Sequence, residues 1–250
     1  MIHEEIRIPM PGGTADAVIY RPDGERPWPG VLHLTDIGGI RPAHQDLARR
    51  LAGAGYVVLM PNVFYRTSRP PVLELKPSGD EALFWKRFAE LTGPLTPEAI
   101  AADAAAYVDV LARQPAVLPG SRFGVAGHCY TGGFALRVAA ACAGRIAAPA
   151  SFHGGSLVTD APTSPHLLLL QIHARLYFAH AVQDRSMPAE AIRTLDTALA
   201  GWGGRYESET YEGAHHGWTA SDSPVYNPAQ AERAFVKLTE LLAATLPPAL

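Results

Sequence analysis

The chain has 250 residues, of which 48% are hydrophobic and 18% charged, and its 21 Lys and Arg against 24 Asp and Glu give a formal net charge of −3. That balance offers no basic surface to nucleic acid or an anionic membrane, and no apolar run reaches the roughly 20 residues a membrane-spanning helix needs. Repeats and low-complexity tracts are absent, and the length suits one α/β domain over residues 1–250.

In chain order, Ile2–Ile8 and Ala15–Tyr20 predict an amino-terminal hairpin about Pro11-Gly12-Gly13. The continuous apolar runs Gly30–Leu34, Tyr56–Pro61, Phe123–Ala126, Ala148–Phe152 and Leu176–Val182 read as strands buried on both faces. Arg205–Tyr211 predicts a last, more polar strand. Helical patterns fall between them at His44–Leu51, Glu81–Glu90, Pro97–Arg113, Thr131–Ala143, Ala189–Ala200 and Ala229–Ala244, and Tyr65–Gly79, broken by three prolines, reads as a loop near the site. The alternation predicts a mostly parallel central sheet with helices on both faces and no separate cap domain.

Sites of such sheets lie beyond the carboxyl ends of the strands. After Phe123–Ala126 come Gly127-His128-Cys129 and then an alanine-rich helix, a strand-to-helix elbow with a thiol at its tip. A cysteine met alone is usually a packing residue, but the elbow points to a nucleophile. Asp184 follows the strand ending at Val182, and His215-His216-Gly217 follows the last strand. Nucleophile, acid and histidine thus stand in the chain order of an α/β-hydrolase triad. His216, beside Gly217 in the tight turn, is preferred over His215. The oxyanion donors are expected from the backbone amides of Tyr130 and Ile37. Cys142, thirteen residues beyond Cys129 on a helix, is too far for a disulfide and is read as helix packing. Two free thiols and no signal peptide predict a reducing cytoplasm.

These segments resemble the dienelactone hydrolase family. The likeness is carried by Leu32–Gly39, Gly55-Tyr56, Met60-Pro61-Asn62 with Arg66, Gly127-His128-Cys129 with Gly132-Gly133, Asp184 with Met187-Pro188-Ala189, and Tyr211 to Trp218. It implies that Asp36, where the best-known member has glutamate, takes part in activating the thiol, and that Arg66 grips a substrate carboxylate. That member's second carboxylate-binding arginine is matched here by Ala220. Tyr65, His128, His153 and Trp218 are expected around the substrate.

The function expected is hydrolysis of carboxylic esters or lactones by a Cys129–His216–Asp184 triad through an acyl-cysteine. The alternatives are a non-catalytic small-molecule binder and a thiol redox sensor on a hydrolase fold. The partner expected is a small ester or lactone, with no nucleic acid or membrane, in a monomer or homodimer. No cofactor is called for. The histidines show no metal-ligand spacing, so no metal is expected.

Overall fold

The computed structural model describes residues 1–73 and 81–247. Eight strands form one sheet in the order β1-β2-β4-β3-β5-β6-β7-β8. β1 (Ile2–Met10) and β2 (Gly13–Arg21) make the hairpin, and β2 runs antiparallel to β4 (Val57–Pro61). From β4 through β3 (Gly30–Leu34), β5 (Phe123–His128), β6 (Ile146–Phe152) and β7 (Leu176–His180) to β8 (Tyr206–Thr210) every pairing is parallel. Parallel strands need long crossovers, and helices supply most of them: α1 (Pro42–Gly53), α2 (Glu81–Thr92), α3 (Pro97–Ala112), α4 (Gly132–Ala141) and α5 (Ala189–Trp202), while α6 (Pro228–Thr245) follows the last strand.

The helices divide into two layers because the central strands are apolar on both faces. Leu51 and Ala52 of α1 and Leu238 and Leu242 of α6 pack with Val31, Val58 and Ala126 on one face. On the other, Tyr107 and Leu111 of α3, Ala135 and Val138 of α4, and Leu195 and Leu199 of α5 pack with Leu32, Leu59 and Val125. The edge strand β8 is only half-buried, as its polar composition requires.

The mostly parallel sheet and its two helical layers agree with the sequence expectation. Boundaries moved for local reasons. Helix α1 starts at Pro42, not His44, because a proline at the first helical position costs no hydrogen bond. Strand β5 continues two residues past Ala126 to His128, whose backbone pairs with Phe152. Residues 129–131 form a 3-10 turn, so α4 begins at Gly132, and a second 3-10 turn at Pro165–Gln171 was not anticipated. The loop expected over Tyr65–Gly79 is non-helical from 67 to 73, after a turn at 63–67, and its remainder lies outside the described residues. Among the described residues, no helix is long and apolar enough to cross a membrane.

Candidate active site

Strand β5 delivers Cys129 to the carboxyl edge of the sheet in a left-handed backbone conformation, φ 54°. L-residues hold such a conformation only where the surroundings over-determine it, and strain of this kind gathers at reactive turns. The turn is tight enough to exclude side chains. A Cβ on Gly127 would come within 2.2 Å of the Thr131 carbonyl oxygen, and one on Gly132 within 2.4 Å of Gly154 Cα. Thr131 occupies the place two residues after Cys129 where such elbows usually have glycine. Its φ is −84°, so no glycine is needed, and its buried hydroxyl accepts from the His128 amide at 3.0 Å and lies 3.2 Å from the Leu34 carbonyl.

Three loops bring the thiol, the histidine and the acid together. His216 Nε2 lies 3.0 Å from Cys129 Sγ, and His216 Nδ1 lies 2.6 Å from Asp184 Oδ2. Asp184 accepts only, so it fixes the tautomer with the proton on Nδ1. Burial pushes the His216 imidazole toward the neutral form, but the hydrogen bonds and charges of Asp184 and Cys129 outweigh it and raise its pKa to about 10. The same balance holds Asp184 below the usual carboxylate range: burial opposes ionisation, and hydrogen bonds from His216 and Ser186 overcome it. A protonated imidazole facing sulfur stabilises the thiolate, the form that attacks carbonyls. His215 is exposed at the cavity rim, and its side chain makes no hydrogen bond among the described residues.

Cys129, His216 and Asp184 open onto a cavity of about 920 Å³. Ile37 and Tyr130 stand on its wall. In the turn after β3 the amides of Gly38 and Gly39 are occupied by the Asp36 side chain and the Asp36 carbonyl, and the Asp36 amide faces His44 Nε2 at 3.3 Å, whereas no described hydrogen bond takes the Ile37 amide. Tyr130 lies in the first turn after β5, where amides lack helical partners. The Ile37 and Tyr130 amides are therefore the candidate donors beside the thiol.

Several residues expected at the substrate lie elsewhere. The Asp36 carboxylate is taken up by Arg41 at 2.5 and 2.8 Å and by His44 at 3.1 Å, and no contact joins it to Cys129. Burial would raise its pKa, but these partners hold it well below the usual range. Aspartate is one methylene shorter than the family glutamate, and a local arginine claims it. Arg66 is held by Asp103 in a paired contact at 2.6 and 2.9 Å, Tyr65 donates to the same carboxylate, and neither lines the cavity. Trp218 is fully buried, stacked on Tyr211 and met edge-on by His153. His153 sits edge-on behind His216 at 5.2 Å and contacts Thr219, so it supports the imidazole ring rather than a ligand. His128 points into the opposite helical layer, and burial lowers its pKa to about 3. Ala220 is buried and off the cavity wall.

Two residues on the cavity escaped the sequence reading. Ser186 donates to Asp184 Oδ1 through both its amide (2.8 Å) and its hydroxyl (2.6 Å), buttressing the acid. The Asp-x-Ser turn that signals this was present but is common in loops. Arg137 of α4 lines the cavity with the aromatic wall of Phe84, Trp85 and Phe88. Its guanidinium donates to the Thr163 carbonyl, pairs with no carboxylate among the described residues, and is made less basic by burial. Cys142 is free and buried at the far end of α4. Spacing had offered no metal site, but His33, His44 and His128 converge in space from β3, α1 and β5.

Comparison with known proteins places this geometry in context. The model of the dienelactone hydrolase family matches residues 15–246. A carboxymethylenebutenolidase of Rhodococcus opacus is 30% identical over 202 residues, which cover 80% of this chain and 74% of that protein. Among solved structures, a dienelactone hydrolase from Anabaena variabilis superposes with a TM-score of 0.70 at 16% identity over 98% of this chain and 99% of that one. A dienelactone hydrolase-like promiscuous phosphotriesterase from metagenomic libraries superposes with a TM-score of 0.78 at 19% identity, over 99% and 100% of the two chains. These two likenesses speak to the fold.

Proposed function

This chain belongs to the dienelactone hydrolase family, a family of hydrolases, and from that premise and the geometry of the cavity we propose that it cleaves carboxylic esters or lactones through an acyl-cysteine intermediate. The observation that carries the reading is the unbroken relay from Asp184 through His216 to Cys129, with contacts of 2.6 and 3.0 Å. Sγ attacks the carbonyl carbon, and the carbonyl electron pair moves onto oxygen, where the amides of Ile37 and Tyr130 receive it. Collapse expels the alkoxide, which takes the proton from His216 Nε2 and leaves as alcohol. In a lactone that alcohol stays tethered to the acyl group. A water then gives its proton to His216 as it attacks the thioester, and the carboxylic acid departs as Sγ regains its electron pair. The test is rapid mixing with an activated aryl ester: a burst near one equivalent of phenol, with the acyl mass added to the peptide bearing Cys129, is expected. Turnover with no burst and no adduct under single-turnover conditions counts against the covalent route.

The cavity also supports a substrate class. Aromatic and aliphatic walls from α2 and α3 suit an apolar body, and Arg137 reaches the same cavity from α4, the helix that follows Cys129. An ester with an apolar spacer and a distal anionic group fits both features. Arg137→Gln is expected to raise KM for a carboxylate-bearing ester by about 10- to 100-fold, matching about 1.5–3 kcal/mol for a hydrogen bond to a charged group, while a neutral ester of equal size is barely affected. Arg66→Ala is expected to act otherwise. It leaves Asp103 buried without its cation, costs on the order of 3 kcal/mol of stability, and lowers Tm without separating the two esters. Equal effects of Arg137→Gln on both esters would remove the anionic subsite from the proposal.

A further inference from the structure

Three histidines that the reaction does not use meet beneath the elbow. His33 of β3, His44 in the first turn of α1 and His128 at the end of β5 are each at most 2% exposed, and one ring nitrogen from each lies within 4.8 Å of the other two. Their ring centroids are 4.9–5.3 Å apart, and His33 Nε2 lies 3.0 Å from His44 Nδ1. We propose that this cluster is a binding site for one divalent transition-metal ion of the zinc type, held by His33, His44 and His128.

The outward contacts of the rings carry the argument. His44 Nε2 lies 3.1 Å from Asp36 Oδ2, with the Asp36 amide farther away at 3.3 Å, and Arg41 clamps the same carboxylate from its other side. His128 Nδ1 lies 3.2 Å from the Leu34 carbonyl oxygen. The His128 contact places its ring proton on Nδ1, and the His44 contact with the Asp36 carboxylate, shorter than the one with the Asp36 amide, favours the proton on Nε2; in these forms both rings turn a lone pair inward. Metal-bound imidazoles are arranged this way, with the second nitrogen donating to a carboxylate or a backbone carbonyl. Without an ion, the His33 Nε2 proton can serve only one of those inward lone pairs. His33 Nδ1 is buried with no hydrogen-bond partner, so the His44 contact alone holds that ring in the Nε2-protonated form. Ion binding breaks the His33–His44 hydrogen bond and moves the His33 proton to Nδ1, freeing the third lone pair with no net loss of a proton. Three neutral nitrogens with an open fourth position suit Zn²⁺ and its neighbours better than Mg²⁺ or Ca²⁺, which take oxygen ligands.

A second cavity, about 220 Å³, opens between α1 and α6, and His128 forms part of its wall together with Asp46, Arg50, Thr219 and Ser221. It lies on the opposite face of the sheet from the helices that wall the esterase cavity, so the two sites can be filled independently. An ion here would tie β3, α1 and β5 together directly below Cys129, a structural role.

The test uses the 250-residue chain carrying Cys129→Ala, which removes the one accessible thiol, after chelator treatment. Titration with Co²⁺ is expected to give one equivalent, with visible d–d bands of nitrogen and oxygen coordination, and Zn²⁺ should displace it. His33→Gln and His44→Gln in that background are expected to weaken binding at least 100-fold. Asp36→Asn should weaken it about 10- to 100-fold, as loss of an outer partner does, while His216→Gln leaves it unchanged. No saturable Co²⁺ binding, or binding that survives both histidine changes, overturns the proposal. Should those variants fail to fold, proton NMR of the Co²⁺-loaded Cys129→Ala protein decides: hyperfine-shifted imidazole N–H signals from three histidines support the site, and fewer than three overturn it.

Discussion

Cys129→Ala is expected to lower ester turnover by about 10⁴-fold or more while the protein keeps its fold, because loss of the nucleophile removes the covalent route altogether. The structural cost is small. The side chain is part-exposed at the cavity, its sulfur has one described partner, His216, and alanine inherits the same φ of 54° with no added strain. Cys129→Ser should recover little, since a hydroxyl is far less acidic than a thiol and the His216–Asp184 pair faces a protonated group it cannot readily ionise. Steady-state kinetics with an aryl ester, beside thermal melts of both variants, make the check. Activity of the alanine variant within tenfold of wild type would sink the assignment of Cys129 as nucleophile. An intact rate in Cys129→Ala together with a strong loss in His216→Ala would point instead to direct attack by a water that His216 activates.

What the sequence disclosed and what it withheld divide along one physical line. The strands were legible because burial on both faces demands uninterrupted apolar runs, as Gly30–Leu34 and Leu176–His180 show. Cys129, Asp184 and His216 were legible because each follows a strand and the parallel topology gathers strand ends on one edge. Contacts set by side-chain reach were not legible. Arg66 stands where the family places a substrate-binding arginine, but Asp103, thirty-seven positions along on α3, holds it first. Nothing in the spacing of those two residues announces the pair. Arg137 is invisible for the opposite reason, because it looks like any solvated helix arginine until α2 and the segment near Thr163 close around it. His33, His44 and His128 follow no ligand spacing, since register in the sheet, not proximity in the chain, joins them. His33 pairs with Ala126, which sets His128 two residues ahead on the adjacent strand.

His216→Ala and Asp184→Asn are each expected to lower kcat by about 10²- to 10⁴-fold, and His215→Ala by less than about tenfold. Both histidines border the cavity, so the contrast tests geometry, not neighbourhood. Only His216 reaches Sγ and the Asp184 carboxylate, and without it the leaving alkoxide and the attacking water lose their proton carrier. Asp184→Asn acts through the tautomer. An amide nitrogen turned toward Nδ1 would favour the ring form with its proton on Nε2, whereas Ser186, which now donates twice to the carboxylate, would press the amide oxygen toward itself and away from the histidine. The variant should therefore retain substrate binding and lose turnover, with KM close to wild type and kcat/KM falling in step with kcat. The contacts with Asp184 and Cys129 raise the His216 pKa to about 10, so on the proposed route the imidazolium can donate its proton to the leaving group at neutral pH. Removal of the Asp184 charge lowers that pKa, and the alkaline limb of the kcat/KM profile should move to lower pH in Asp184→Asn. A His215→Ala loss larger than that of His216→Ala, or an alkaline limb that stays in place in Asp184→Asn, would break the relay proposed for this site.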